Sequence, residues 1–264
     1  MIRTHADDSR IYYPKMDFTL KKYSELLTAL KDFGYSDVTL RHDVDRRPRN
    51  SLAVARIEAA LGWEAVYYFR AVPESWDEEI IREISKLGHE IGYHYECLTT
   101  CRGDVDTAWD DFKANLTKLR AIAPVHTICM HGSPGSRWDS RDIWKKYDYR
   151  SLGIDFEPYL DTDWSKTFYL TDTGRRWDGH KVSVRDKIPV WQEKWQAQGL
   201  VYHGTDDIIK AIVAGTLPYR VMITTHPQRW TDSPFLWVRE LVFQNLKNVV
   251  KYTRTVACQN ANLY

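Results

Sequence analysis

The sequence predicts an α/β protein of mainly parallel strands in a single domain. Stretches with helical periodicity alternate with short apolar runs through the first half, and the alternation returns near the carboxyl terminus. No internal repeat, low-complexity tract or Pro/Gly/Ser linker divides the 264 residues, so residues 1–264 are assigned to one domain with an elaborated middle at about 137–199. Residues suited to metal or acid-base chemistry gather where the apolar runs end, the rim on which parallel α/β folds build their sites.

In FTLKKYSELLTALKDF, Leu20, Tyr23, Leu27, Leu30 and Phe33 recur at helical spacing and Gly34 follows as a stop. SDVTLRHDVD then alternates Val38 and Leu40 with polar residues and ends as a strand on Asp43 and Asp45. SLAVARIEAALGW predicts a helix and AVYYF (65–69) a strand ending beside Arg70. DEEIIREISKLG leads into the strand HEIGYHY, ending on His94 and Glu96, and DTAWDDFKANLTKLRAIA leads into VHTICMH, ending on His131. The middle is looser, rich in Trp, Asp and Arg, with FYLTD as a short strand candidate. TDDIIKAIVAG and YRVMITTHP form a last helix and strand that deliver His226, and WVRELVFQNLKNVVKYT closes the chain as an amphipathic helix.

Apolar residues make up 43% and charged residues 28% of the chain, the balance of a soluble globular protein, and a net charge of +1 gives no reason to expect nucleic acid or an anionic membrane surface as partner. MIRTHADDSR has no apolar stretch after its first basic residue and no segment is long enough to span a bilayer, which predicts a cytoplasmic location. Cys97, Cys101, Cys129 and Cys258 are too few and scattered for a disulfide framework. An iron–sulfur site built on Cys97 and Cys101 lacks a third cysteine, since position 104 is Asp. Eleven Trp and sixteen Tyr suit sugar faces as well as core packing.

A divalent metal in a catalytic site takes about three carboxylate or imidazole ligands at roughly 2.0 to 2.2 Å. Asp43 and Asp45 share a strand face, so one can bind a metal while the other hydrogen-bonds its water. His89 and His94 are five apart and point to opposite faces, which leaves His94 as the ligand and His89 as a buried core residue. Glu96 is a ligand, a substrate contact or a loop carboxylate. His131 follows a strand and precedes a turn set by Gly132, Pro134 and Gly135, as a third ligand or a substrate contact. His226, before Pro227, reaches the same rim, where an imidazole serves as general acid.

The segments RHDVD, GHEIGYHYE, MHGSPGS, LDTDW and ITTHP, in that order, resemble the motif order of the polysaccharide deacetylase superfamily, carbohydrate esterase family four, over most of the chain. The resemblance implies an irregular barrel of seven or so β/α units and hydrolysis of N-acyl groups on sugars. It implies Asp43 as the base, Asp45 and His94 as metal ligands, His226 as the acid, and Asp163 with Trp164 as the Asp-Trp pair that tunes the site and walls the acyl pocket. Val44 separates two aspartates that are adjacent in the family, and Leu98 stands where its second metal histidine falls. His131 is the replacement ligand on this reading and Arg137 takes the motif arginine's role.

The runs HDVD, GHEIGYHYE, MHGSP and LTDTGRRWDG resemble a divergent subgroup associated with bacterial O-antigen and surface-polysaccharide biosynthesis. That likeness implies a nucleotide- or lipid-linked acylated amino sugar as substrate, and a divalent ion, zinc first among them. Arg175, Arg176 and Trp177 then hold the anionic or ring portion of the substrate, with a solvated face or internal ion pairs as the alternative. Two rival functions stand beside this one. A catalytically silent relative would bind a glycan or partner, and a metal-dependent cyclic-amide hydrolase or phosphoesterase would keep the ion and change the bond.

Overall fold

The computed structural model describes residues 16–133, 135–178, 183 and 186–261; Pro134 of the expected turn lies outside the described residues. Six parallel strands form one sheet: β1 Val38–Val44, β2 Ala65–Phe69, β3 Glu90–Tyr95, β4 Thr127–Met130, β5 Phe168–Thr171 and β6 Val221–Thr225. Their order is β4-β3-β2-β1-β6-β5. From β1 to β4 each strand lies beside the last. The chain then crosses to the far edge for β5 and returns beside β1 with β6. This is the cyclic order of a barrel opened between β4 and β5, and the sheet is a curled half-barrel. At the opening, Phe156 makes a single parallel bridge to Thr127, and the Ile128 N–H donates to the Phe156 carbonyl at 3.0 Å. That stub stands where a seventh strand would.

The crossovers are helical because their sequences cap as well as they repeat. α1 (Leu20–Asp32) starts at Thr19, whose hydroxyl accepts the Lys22 N–H. α2 (Pro48–Leu61) has Pro at its first turn, α3 (Glu78–Lys86) is capped by Asp77, and α4 (Cys97–Thr100) is a single turn. α5 (Val105–Arg120) is capped by Asp104, whose carboxylate accepts the Thr107 N–H at 2.8 Å. Position 104 is thus a helix start, and Cys97 and Cys101 are free thiols. The middle is better ordered than its composition suggests. It holds two 3₁₀ turns (Ser140–Lys145 and Tyr149–Leu152), α6 (Pro158–Asp161), β5 and α7 (Pro189–Ala197). α8 (Thr205–Val213) and the 28-residue α9 (Pro234–Ala261) complete the chain.

β1 is central and its last five residues are buried. Alternation along the strand splits RHD between two sides of the sheet. His42 faces α2, where its Nε2 lies 2.6 Å from the Glu58 carboxylate and its Nδ1 2.7 Å from the Thr225 hydroxyl. Tyr23 and Tyr67 also donate to Glu58. Burial would raise the Glu58 pKa, but His42 and the two phenols hold it below the usual carboxylate range. His89 lies on that same side, buried, with Nε2 on the Ala55 carbonyl at 2.9 Å. Arg41 and Asp43 face the interior of the half-barrel. The interior is close enough to the sheet at β3 that a Cβ on Gly92 would sit 2.4 Å from the Tyr68 ring, so only glycine fits there.

Candidate active site

Asp45, immediately past β1, faces two imidazoles. Its Oδ1 lies 3.4 Å from His131 Nε2 and 3.8 Å from His94 Nε2. That oxygen is buried and accepts no hydrogen bond, while Oδ2 accepts from the Gln228 amide at 3.1 Å. Bonds of about 2.0 to 2.2 Å in tetrahedral geometry set ligand atoms roughly 3.3 to 3.6 Å apart; the His131 separation falls in that range and the His94 separation is about 0.2 Å beyond it, and an orphaned buried carboxylate oxygen is the feature a divalent ion would satisfy.

Both imidazoles are turned to offer Nε2. His94 Nδ1 lies 2.9 Å from the Cys129 carbonyl, which fixes its proton on that side. Burial above all pushes the His94 pKa down to about 4, so the ring is neutral near pH 7. His131 is placed beside β3 by its backbone N–H, which donates to the Tyr95 carbonyl at 2.8 Å, and its Nδ1 lies 2.8 Å from Glu96 Oε2. Arg70 anchors Glu96 from behind, with Nε at 2.8 Å and Nη2 at 2.6 Å from Oε1. Burial would depress the His131 pKa, but in the metal-free protein the Asp45 and Glu96 carboxylates raise it to about 9, so an ion bound at Nε2 would displace a proton. Glu96, despite burial, is held at about 2 by His131 and Arg70. The carboxylate of Glu96 is therefore spent on His131, Ser133 and Arg70.

A second group of potential ligands, Asp43, His94 and Cys129, shares His94 with the first. The Cys129 thiol is buried in the half-barrel and burial raises its pKa well above the ordinary value, which keeps it protonated.

Asp43 lies on the inner side of the trio, its Oδ2 3.8 Å from His94 Nε2. Arg41, two residues earlier on the same face, grips it with Nε at 2.9 Å and Nη2 at 2.7 Å, and also donates to Tyr159 at 3.1 Å. Tyr159, Tyr169, Thr171 and Thr173 in turn donate to Asp186. Burial opposes the ionisation of Asp186, but Arg41, His226 and the threonine hydroxyls hold its pKa well below the usual range.

Across the trio, His226 points Nε2 toward Asp45 Oδ2 at 4.0 Å. Its Nδ1 is 2.6 Å from Asp172, a fully buried carboxylate that also accepts the His226 backbone N–H at 3.0 Å, Arg229 Nη1 at 2.6 Å and the Trp230 indole at 2.8 Å. The proton on His226 is thereby set on Nδ1, leaving Nε2 to exchange a proton with the cavity. These groups open into a cavity of about 690 Å³, walled on its outer side by Glu240, Phe243, Gln244, Leu246 and Lys247 of α9. Arg46 pins the helix there, with Nη2 at 2.8 and 2.9 Å from the buried Glu240 carboxylate.

The structure thus brings Asp43, Asp45, His94, His131 and His226 around one space. Glu96 reaches that space through His131, and the remaining residues singled out in the sequence stand apart from it. The guanidinium on Asp43 is Arg41, whereas Arg137 is exposed over the Trp138 ring. Asp163 is exposed and bonded to Ser165, and Trp164 packs edge-on against Tyr169. Arg175 is buried against Trp237, donating to its carbonyl at 2.9 Å; Arg176 pairs with Asp178; and Trp177 is buried with its indole on Thr205 at 2.8 Å. None of these six lines the cavity.

Of the site residues outside the sequence expectations, Asp172 carries the clearest local signal, since it follows the apolar run FYLT as Asp45 follows LRHDV. Arg41 was readable as a partner at i+2 on Asp43's face. Asp186, Gln228 and Glu240 had no local signal.

No family model matches the chain, and no curated protein matches it. Among solved structures, it is similar to that of a Streptococcus mutans CE4 esterase, at 11% identity and a TM-score of 0.42, over 89% of this chain and 88% of that one.

Proposed function

We propose that the chain is a metal-dependent hydrolase. Within that class, we assign it the removal of an acetyl- or formyl-type group from an amino sugar used in bacterial surface-polysaccharide (O-antigen) biosynthesis, the substrate being nucleotide- or lipid-linked. The observation that carries the class is the orphaned Asp45 oxygen facing the Nε2 atoms of His94 and His131. The amino-sugar substrate rests on the motif resemblance.

Asp45, His94 and His131 would hold the ion, zinc first among candidates given two imidazoles and one carboxylate. A divalent ion held there would supply Lewis acidity toward an amide carbonyl and would lower the pKa of water toward about 7. Asp43 takes the proton of the attacking water, and Arg41 fixes the direction from which its carboxylate does so. His226 gives a proton from Nε2 to the departing amine while Asp172 holds the opposite nitrogen and stabilises the imidazolium. A base and an acid on opposite sides of the trio are what amide hydrolysis requires, which weighs against a silent binding protein. The two ligand groups share His94, which favours one ion over the closely paired ions of many phosphoesterases.

Elemental analysis after zinc is re-supplied to the purified chain, with Asp45→Ala and His94→Ala alongside, is the direct test. One ion per chain that is lost in both variants, together with acid released from acylated amino-sugar nucleotides, is the expected result. A folded wild-type chain that retains no ion overturns the reading.

A further inference from the structure

The outer face of α9 carries large apolar side chains that no described residue covers. Phe235, Val238, Val242 and Leu246 are 73, 53, 54 and 63% exposed. At steps of three and four residues they fall within about 80° of one another on a helix of roughly 3.6 residues per turn, forming one continuous stripe. The opposite face, through the buried Glu240 and Gln244, is the one that seats on the protein. Phe243 and Leu246 belong both to the exposed surface and to the cavity wall, so the stripe runs to the mouth of the cavity.

The charges on the helix are one-sided. α9 contains Arg239, Lys247, Lys251 and Arg254 against a single acid, Glu240, which is buried and neutralised by Arg46. Arg239 and Lys247 are exposed and make no ion pair among the described residues, and Lys247 instead lies over the Phe243 ring at 4.4 Å. The chain's net charge of +1 averages this asymmetry away.

We propose that α9 is an interfacial helix that seats the protein on an anionic lipid surface, with the mouth of the cavity turned toward the headgroups. A long amphipathic helix with an apolar stripe flanked by unpaired cations is the arrangement that buries its apolar side chains at the headgroup boundary and pairs its cations with anionic lipid. A second copy of the chain fits the stripe poorly, because a two-fold contact through it doubles the cations along one seam, and the one acid of the helix, Glu240, is buried on Arg46 and cannot pair with them. The helix lies on the surface and does not cross it, as no described helix is long and apolar enough to span a membrane. The membrane contact stands on α9 alone. That it delivers a lipid-carried sugar to the cavity rests on the hydrolase reading above.

The test is co-sedimentation of the full chain with vesicles of phosphatidylglycerol mixed with phosphatidylcholine and with vesicles of phosphatidylcholine alone, a readout that needs no turnover. The wild type is expected to bind the anionic vesicles, more weakly as salt rises, and to bind the neutral ones poorly. Phe235→Ser with Val242→Ser lowers the partition about tenfold or more, and Arg239→Glu with Lys247→Glu lowers it for anionic vesicles; circular dichroism checks that both double variants are folded. Wild-type protein that stays in the supernatant overturns the proposal. So does equal binding by a folded Phe235→Ser/Val242→Ser variant, or a wild-type dimer that this variant splits into monomers.

Discussion

Replacing Glu96 with Gln removes one charge and leaves the shape of the side chain intact. Glu96 Oε1 receives Arg70 and Oε2 receives His131 Nδ1 at 2.8 Å and Ser133 at 3.1 Å. A glutamine keeps its carbonyl oxygen on Arg70, its strongest donor, and turns its amide N–H₂ toward His131. Nδ1 must then accept a hydrogen bond, which moves the ring proton to Nε2, the nitrogen aimed at Asp45. A protonated Nε2 cannot bind a metal. Loss of such a carboxylate behind a ligand imidazole typically weakens metal affinity about 10- to 100-fold, or about 1.4 to 2.7 kcal/mol. Competition with a chromophoric zinc chelator measures the change, in the wild-type background and again with His131→Ala. Weakening in the first background and none in the second is the expected pattern. Unchanged affinity in folded Glu96→Gln, or an equal loss in both backgrounds, refutes the view that Glu96 acts through His131.

Asp172→Asn places an amide against Arg229, His226 and Trp230, breaking a buried ion pair at a cost of about 3 to 5 kcal/mol; urea unfolding measures it, and a change below about 1 kcal/mol contradicts the network described. In the same variant kcat for amide hydrolysis drops about a thousandfold or more as the His226 proton leaves Nδ1, whereas zinc content stays at the wild-type level. Gly92→Ala drives a methyl group into the Tyr68 ring and lowers stability by about 1 to 3 kcal/mol, seen as a depressed Tm; an unshifted Tm shows that the strand yields. The His131 pKa is raised to about 9, so its contribution to the metal-free protein is full below its unfolded value of about 6.5 and is lost as pH climbs through 9. His94, depressed to about 4, acts with the opposite sign and costs stability as pH falls below about 6.5. Metal-free protein is therefore expected to melt at a lower temperature at pH 9 than at pH 7, with the difference abolished by His131→Ala; equal melting temperatures in wild type contradict it.

The strands of the first half were legible because each couples an apolar run to a capped helix and a polar strand end. AVYYF is β2 to the residue, and HDVD, GHEIGYHY and MH meet at one rim as their register implies. The same logic, carried to FYLTD, would have found Asp172. In sequence the arginines that follow it look like the stronger candidates, yet packing against Trp237 and pairing with Asp178 take them out of the site. Charged and aromatic side chains in a connecting segment look alike whether they face a ligand or each other, and only their neighbours across the fold tell them apart. Asp186, Gln228 and α9 enter the cavity wall through contacts across the fold that no local period encodes.

The crossing from β4 to β5 also divides the site along the chain. Asp43, Asp45, His94 and His131 all arise from β1 to β4, whose strands pair with their successors in sequence. His226 and Asp172 arrive on β6 and β5, and β6 must find β1 across more than half the chain. Because contacts of short sequence separation form sooner than distant ones, the metal-ligating half of the site can take shape while the segment bearing the acid is still unmade. Its completion then waits on two dockings, of β6 beside β1 and of β5 beside β6.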